Sequence, residues 1–184
     1  MRGWGAIVAG LFLSVPAAAS ATPGYAYGPW SLTIYAGPST NSFFSHIFHG
    51  HFRVNGGMAG AAGDVRLWAL GNGFSFAAEG QLTQFAGQHS YTTAALGVGM
   101  LYDHYPWSIG LYTGPSYATD PPREQYFHGK ALLNYVSAEV AYGIPRAQGW
   151  DVALRLYHRS GAWGFYSPDA DEGSMIGIGI RKRF

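Results

Sequence analysis

Beyond residue 29, apolar residues alternate with polar or small ones along most of the chain, the period-two pattern of β-strands with one apolar face. Trp30, Leu32 and Ile34 alternate with Ser31 and Thr33, which predicts a strand over about residues 30–36. A second covers about 59–70, where Val65, Leu67 and Ala69 oppose Asp64, Arg66 and Trp68. Phe74, Phe76 and Leu82 oppose Glu79 and Gln81 over about 74–84, and Leu96, Val98, Met100 and Tyr102 oppose Gly97 and Gly99 over about 91–103. Further strands are expected over about 107–117, 130–142, 150–160 and 174–184. In the sixth, Leu132, Asn134, Val136, Ala138 and Val140 share a face against Tyr135, Ser137 and Glu139. In the last, Ile176, Ile178 and Ile180 oppose Gly177, Gly179 and Arg181.

Eight such strands point to an all-β fold. Their connections alternate in length. Residues 71–73, 103–107 and 144–149 make short turns, whereas 37–57, 86–90, 118–129 and 161–173 are mostly longer. Short turns at one end and long loops at the other are the pattern of an antiparallel outer-membrane β-barrel, with the long loops outside and both termini on the periplasmic side. Each strand is close to the roughly 9–11 residues that a tilted strand needs to cross a bilayer. Trp30, Tyr102, Trp107 and Trp150 fall near the short-turn end, where an aromatic girdle is expected. The terminal Phe184 takes outward parity, as barrel assembly favours.

Composition agrees. The chain is 48% hydrophobic and 16% aromatic but only 11% charged, with 27 glycines and no cysteine, against about 25% charged in an average soluble domain. The absence of cysteine excludes disulfides and thiolate metal sites. A net charge of +1, with the one basic run at Arg181-Lys182-Arg183, argues against nucleic acid as a partner. Arg2 followed by an apolar run to Val15, then Pro16 and the small-residue site Ala19-Ser20-Ala21, reads as a secretory signal over residues 1–21. The run is too short for a spanning helix. A single domain over 22–184 is then expected.

Eight strands make a barrel narrow enough to be filled by its own side chains. The inward set predicted here, Asp64, Arg66, Trp68, Glu79, Glu139 and Arg155, would neutralise itself by pairing and leave no pore. A two-sheet sandwich is the competing architecture; it would have to give those charges a solvent face and leaves the signal, the girdle and Phe184 unexplained.

One strand breaks the outward apolar pattern. Leu154, Leu156, His158 and Ser160 share a face, against Arg155, Tyr157 and Arg159. In a barrel wall His158 and Ser160 would face lipid, a poor place for polar side chains unless the substrate is itself a lipid. Extending the alternation of the last strand back from Ile176 brings Ser174 and Glu172 to the same face, at the rim reached by His158 and Ser160. Ser160 as nucleophile, His158 as general base and Glu172 orienting the imidazole would form a hydrolytic triad.

At this point the chain resembles the outer-membrane lipid A 3-O-deacylases of the PagL type, most sharply over about residues 130–184. These are small eight-stranded barrels with a His-x-Ser pair and a glutamate fourteen residues after the histidine, matched by His158, Ser160 and Glu172. The family has an asparagine after the serine, where this chain has Gly161, and another in the next loop, which here reads Ala162-Trp163-Gly164-Phe165-Tyr166-Ser167-Pro168. The oxyanion donor must then come from elsewhere: from Asn134, outward on the neighbouring strand, or from the backbone N–H of Gly161 or Ala162. The resemblance implies a serine esterase acting on lipopolysaccharide in the outer leaflet, without metal or organic cofactor. The outer-membrane phospholipases, also His-x-Ser enzymes, resemble the chain less, being twelve-stranded with asparagine as third member.

Two other function classes remain open: a non-catalytic barrel for scaffolding or adhesion, and a barrel with different lipid A chemistry, such as an acyltransferase or oxidase. Acyl transfer would need a donor-lipid cavity inside the barrel. His46, His49 and His51 have spacing compatible with a divalent metal but no carboxylate or cysteine to complete a site, and read better as a polar loop facing lipopolysaccharide. Asp120, Asp169 and Asp171 are weaker candidates for binding bridging cations.

Overall fold

The computed structural model describes residues 28–40, 54–87, 90–120, 123–124, 127–128, 130–162, 164–167 and 171–184. The expected leader, the three loop histidines and Asp169 lie outside the described residues. Eight strands close into one antiparallel ring: β1 Trp30–Thr40, β2 Val54–Gly71, β3 Phe74–Gly87, β4 Tyr91–His104, β5 Trp107–Ala118, β6 Leu132–Gly143, β7 Trp150–Ser160 and β8 Asp171–Arg183. Each strand pairs with the next, and β8 closes the barrel on β1. A small ladder between Arg123–Glu124 and Phe127–His128 lies in the β5–β6 connection.

The strands outrun their expected ends where polar and glycine-rich segments read as loop. β1 and β2 stay paired as far as Thr40 and Val54, because ladder hydrogen bonds satisfy the backbone whatever the side chains are. The short turns follow local chemistry. Gly71, Asn72 and Gly73 all have positive φ, at 96°, 51° and 84°, the conformation that tight hairpin turns require and that Gly and Asn tolerate best.

Inward residues fill the barrel in two layers. Towards the loop end the filling is aromatic and sulfur-bearing: Tyr35, Met58, Phe85, Tyr91, Tyr135, Tyr157 and Met175 are all buried. Phe85 stacks on Tyr91 with ring centroids 4.5 Å apart, and the Tyr35 hydroxyl lies 2.6 Å from Thr83 Oγ1. Gly97 makes room for Tyr135: a Cβ there would stand 2.1 Å from the Tyr135 hydroxyl and 2.7 Å from the Thr113 carbonyl.

From the middle to the short-turn end the lumen holds a continuous chain of ion pairs. Arg155 Nη2 lies 2.5 Å from Glu79 and its Nη1 3.0 Å from Glu139. Arg181 spans Glu139 at 3.1 Å and Asp151 at 2.7 Å. Arg183 spans Asp151 at 2.7 Å and Asp103 at 3.0 Å, and Arg66 closes on Asp103. Four guanidinium groups thus alternate with four carboxylates. Buried charges are tolerable only when paired and hydrogen-bonded, and the forked guanidinium lets one arginine serve two acids. Asp103, Asp151, Arg181 and Arg183 extend the inward set read from the alternation. The Arg181-Lys182-Arg183 run is therefore split by the pleat: both arginines turn inward, while Lys182 lies outside against Trp150, its Nζ 5.1 Å from the ring centroid.

The outer face is largely apolar. Ile34, Leu82, Leu96, Val98, Leu111, Leu154 and Ile178 are all exposed there, a contiguous belt far beyond the scattered apolar residues of an ordinary protein surface. Trp30, Trp107, Trp150 and Phe184 are exposed at the short-turn end. Trp68 corrects the sequence reading. The β2–β3 register shifts between Arg66 and Trp68, so one extra residue reverses the alternation. Trp68 pairs with Phe76 and points outward, 71% exposed, instead of into the lumen.

Candidate active site

The site is built on the outer face at the loop end of β6, β7 and β8. Strand pairing sets Asn134 opposite Ser160 across β6 and β7, and His158 opposite Ser174 across β7 and β8. Directly paired outward residues bring their Cβ atoms to about 4.5–5.5 Å, so Asn134 and Ser160 are side-chain neighbours, as are His158 and Ser174. His158 and Ser160 are two residues apart on β7 and share that face.

The polar residues are partly withdrawn from the surface. His158 is only 9% exposed and Ser174 is fully buried, while Ser160 and Asn134 are half-buried. The His158 Nδ1 lies 3.0 Å from Ser174 Oγ. Asn134 Nδ2 donates to Thr113 Oγ1 at 3.1 Å, and the Thr113 hydroxyl donates to the Tyr135 carbonyl at 2.9 Å. The amide of Asn134 is therefore oriented by a hydrogen bond, and its NH2 carries a second donor.

Beyond Ser160 the chain turns sharply. The Tyr166 N–H donates to the Gly161 carbonyl at 3.0 Å and the Phe165 N–H to the Ala162 carbonyl at 3.1 Å. Ala162 has φ of 51°, a left-handed conformation that costs energy for a residue with a Cβ. Gly161 and Ala162, the two backbone candidates for holding an oxyanion, thus sit in a constrained turn next to Ser160.

The acidic side of the site departs from strict alternation. Asp171 pairs with Ser160, whereas Ser174 pairs with His158, and the register shifts between them. One extra residue in β8 makes Asp171, not Glu172, the register partner of Ser160. The side chains of Asp171 and Glu172 lie outside the described residues.

Ser174 and Thr113 complete the described arrangement, and the alternation assigned a role to neither. The signal for Ser174 was present: it is the polar residue in an outward row that continues as Ile176, Ile178 and Ile180. Thr113 lies on another strand, and only the pairing of β5 with β6 brings it to Asn134. Among the described residues no group of three potential metal ligands lies together, and Asp120 is exposed just beyond β5.

The arrangement can place a hydroxyl, an imidazole and an amide donor along one outward strip. No protein-family model matches the chain, and no curated protein matches it.

Proposed function

We propose that this chain is an outer-membrane barrel that hydrolyses the 3-O-linked acyl ester of lipid A by nucleophilic catalysis. The observation that carries the reading is the outward strip of Asn134, Ser160 and His158, held by strand register at the loop end of a largely apolar wall. An apolar belt with aromatic residues at one end suits a bilayer. A polar strip on its outer rim suits a substrate that arrives sideways, with acyl chains in the membrane and ester at the interface.

In this mechanism Ser160 Oγ attacks the ester carbonyl as His158 takes its proton. The tetrahedral intermediate places negative charge on the former carbonyl oxygen, next to the Asn134 amide and the Gly161–Ala162 turn. Collapse breaks the bond to the sugar oxygen, which leaves with the proton from His158. A water, deprotonated by the same imidazole, then releases the fatty acid and restores Ser160. Glu172 supplies the negative charge that favours the imidazolium form. No metal or organic cofactor takes part. The filled lumen supports hydrolysis over acyl transfer, which would need room inside the barrel for a donor lipid.

The test is mass spectrometry of lipid A from cells expressing the wild type, Ser160→Ala and His158→Asn, with folding of each checked by heat-modifiable gel mobility. Loss of one hydroxyacyl mass is expected with the wild type alone. Unmodified lipid A with a folded wild type would overturn the deacylase reading and leave a scaffolding or adhesive barrel as the better account.

A further inference from the structure

A fully buried serine hydroxyl on an outward row of isoleucines is costly unless it has a partner. Ser174 is such a residue, and its partner is His158 Nδ1 at 3.0 Å. The contact is fixed by the backbone, because Ser174 and His158 are directly paired and the pairing runs without a break from there to Lys182 and Trp150. The extra residue of β8 lies on the other side, between Ser174 and Asp171. Thr40, itself buried, flanks Ser174 on β1.

We propose that Ser174 is the positioning residue for His158: its Oγ accepts the Nδ1–H and thereby fixes the imidazole in the tautomer whose Nε2 is the base. This deepens the deacylase reading and its kinetic consequence rests on it, although the tautomer itself does not. A neutral imidazole has one donor and one acceptor nitrogen, and the bond made by one nitrogen decides the chemistry of the other. An accepting hydroxyl at Nδ1 leaves basicity at Nε2. A donating hydroxyl would do the reverse and disable the base. Glu172 lies beyond the extra residue of β8, and its contribution in this reading is its negative charge.

The test is nitrogen NMR of histidine-labelled barrel in detergent micelles, with the His158 signals assigned by their absence in His158→Asn and recorded above the imidazole titration. The wild type is expected to show a protonated, pyrrole-type Nδ1 and a pyridine-type Nε2. Ser174→Ala should revert to a tautomer mixture, Ser174→Thr should restore the wild-type signals, and Glu172→Gln should retain them. On lipopolysaccharide micelles, Ser174→Ala should lower kcat roughly tenfold with KM unchanged, the worth of one orienting hydrogen bond, with Ser174→Thr recovering most of it. A pyridine-type Nδ1 in the wild type would overturn the proposal, and needs no variant to fold. A mixture produced by Glu172→Gln but not by Ser174→Ala would also overturn it. If the wild type holds the tautomer yet releases no fatty acid, the positioning role stands and the deacylase reading fails.

Discussion

Asn134 is where the chemistry of this site differs most from its family resemblance, and it is testable alone. It is outward, half-buried and opposite Ser160, with its amide held by Thr113. Asn134→Ala removes no lumen contact, so the barrel should keep its heat-modifiable mobility. Loss of an oxyanion donor should lower kcat about 100-fold or more, measured as fatty acid released from lipopolysaccharide micelles. Undiminished kcat would shift the oxyanion role to the Gly161–Ala162 turn. Residues on unbroken strands were legible in the sequence: Asn134, His158 and Ser160 all take the parity that alternation assigns. Trp68 was not, because nothing in its neighbourhood announces a bulge. The pairing of Ser160 with Asp171 was hidden for the same reason, since one inserted residue in β8 shifts everything beyond Ser174.

At the scale of elements, the wall is as much a packing problem as a pairing one. Gly97 of β4 lies under the Tyr135 ring of β6, two strands away round the barrel, and has no space for a Cβ. Gly97→Leu should therefore destabilise the barrel by about 1–3 kcal/mol, the usual range for overpacking. Urea unfolding in detergent or lipid, followed by gel mobility, should show a lower midpoint; an unchanged midpoint would mean that the tyrosine layer is loose. The strand count and the alternation of turn lengths could be read from the sequence because Gly, Asn and Pro mark the turns. The need for glycine at position 97 could not, since it depends on a tyrosine that only the closed ring brings near.

For the molecule as a whole, the filled lumen defines what the barrel does not conduct. The alternating chain from Glu79 through Arg155 to Arg66 occupies the half nearest the short turns, and the tyrosines occupy the other. Planar-bilayer recordings of the purified protein should show no stable open channel, and a steady ohmic conductance would contradict the plugged interior. The sequence showed that inward charges exist and must pair. Which arginine bridges which two acids depends on the register of strands far apart in the chain, as with Arg183 and Asp103. Polar residues interrupt the largely apolar outer wall at the loop end, where Asn134, His158 and Ser160 lie.

In the proposed mechanism Ser160 on that outer wall is a nucleophile activated by His158. Its most direct test is labelling of the folded barrel with a fluorophosphonate, read by intact-protein mass spectrometry and by sequencing of the modified peptide. One adduct is expected on the wild type, located at Ser160, with none on Ser160→Ala and strongly slowed labelling of His158→Asn. A folded wild type that takes up no reagent, or takes it up at another residue, would contradict it.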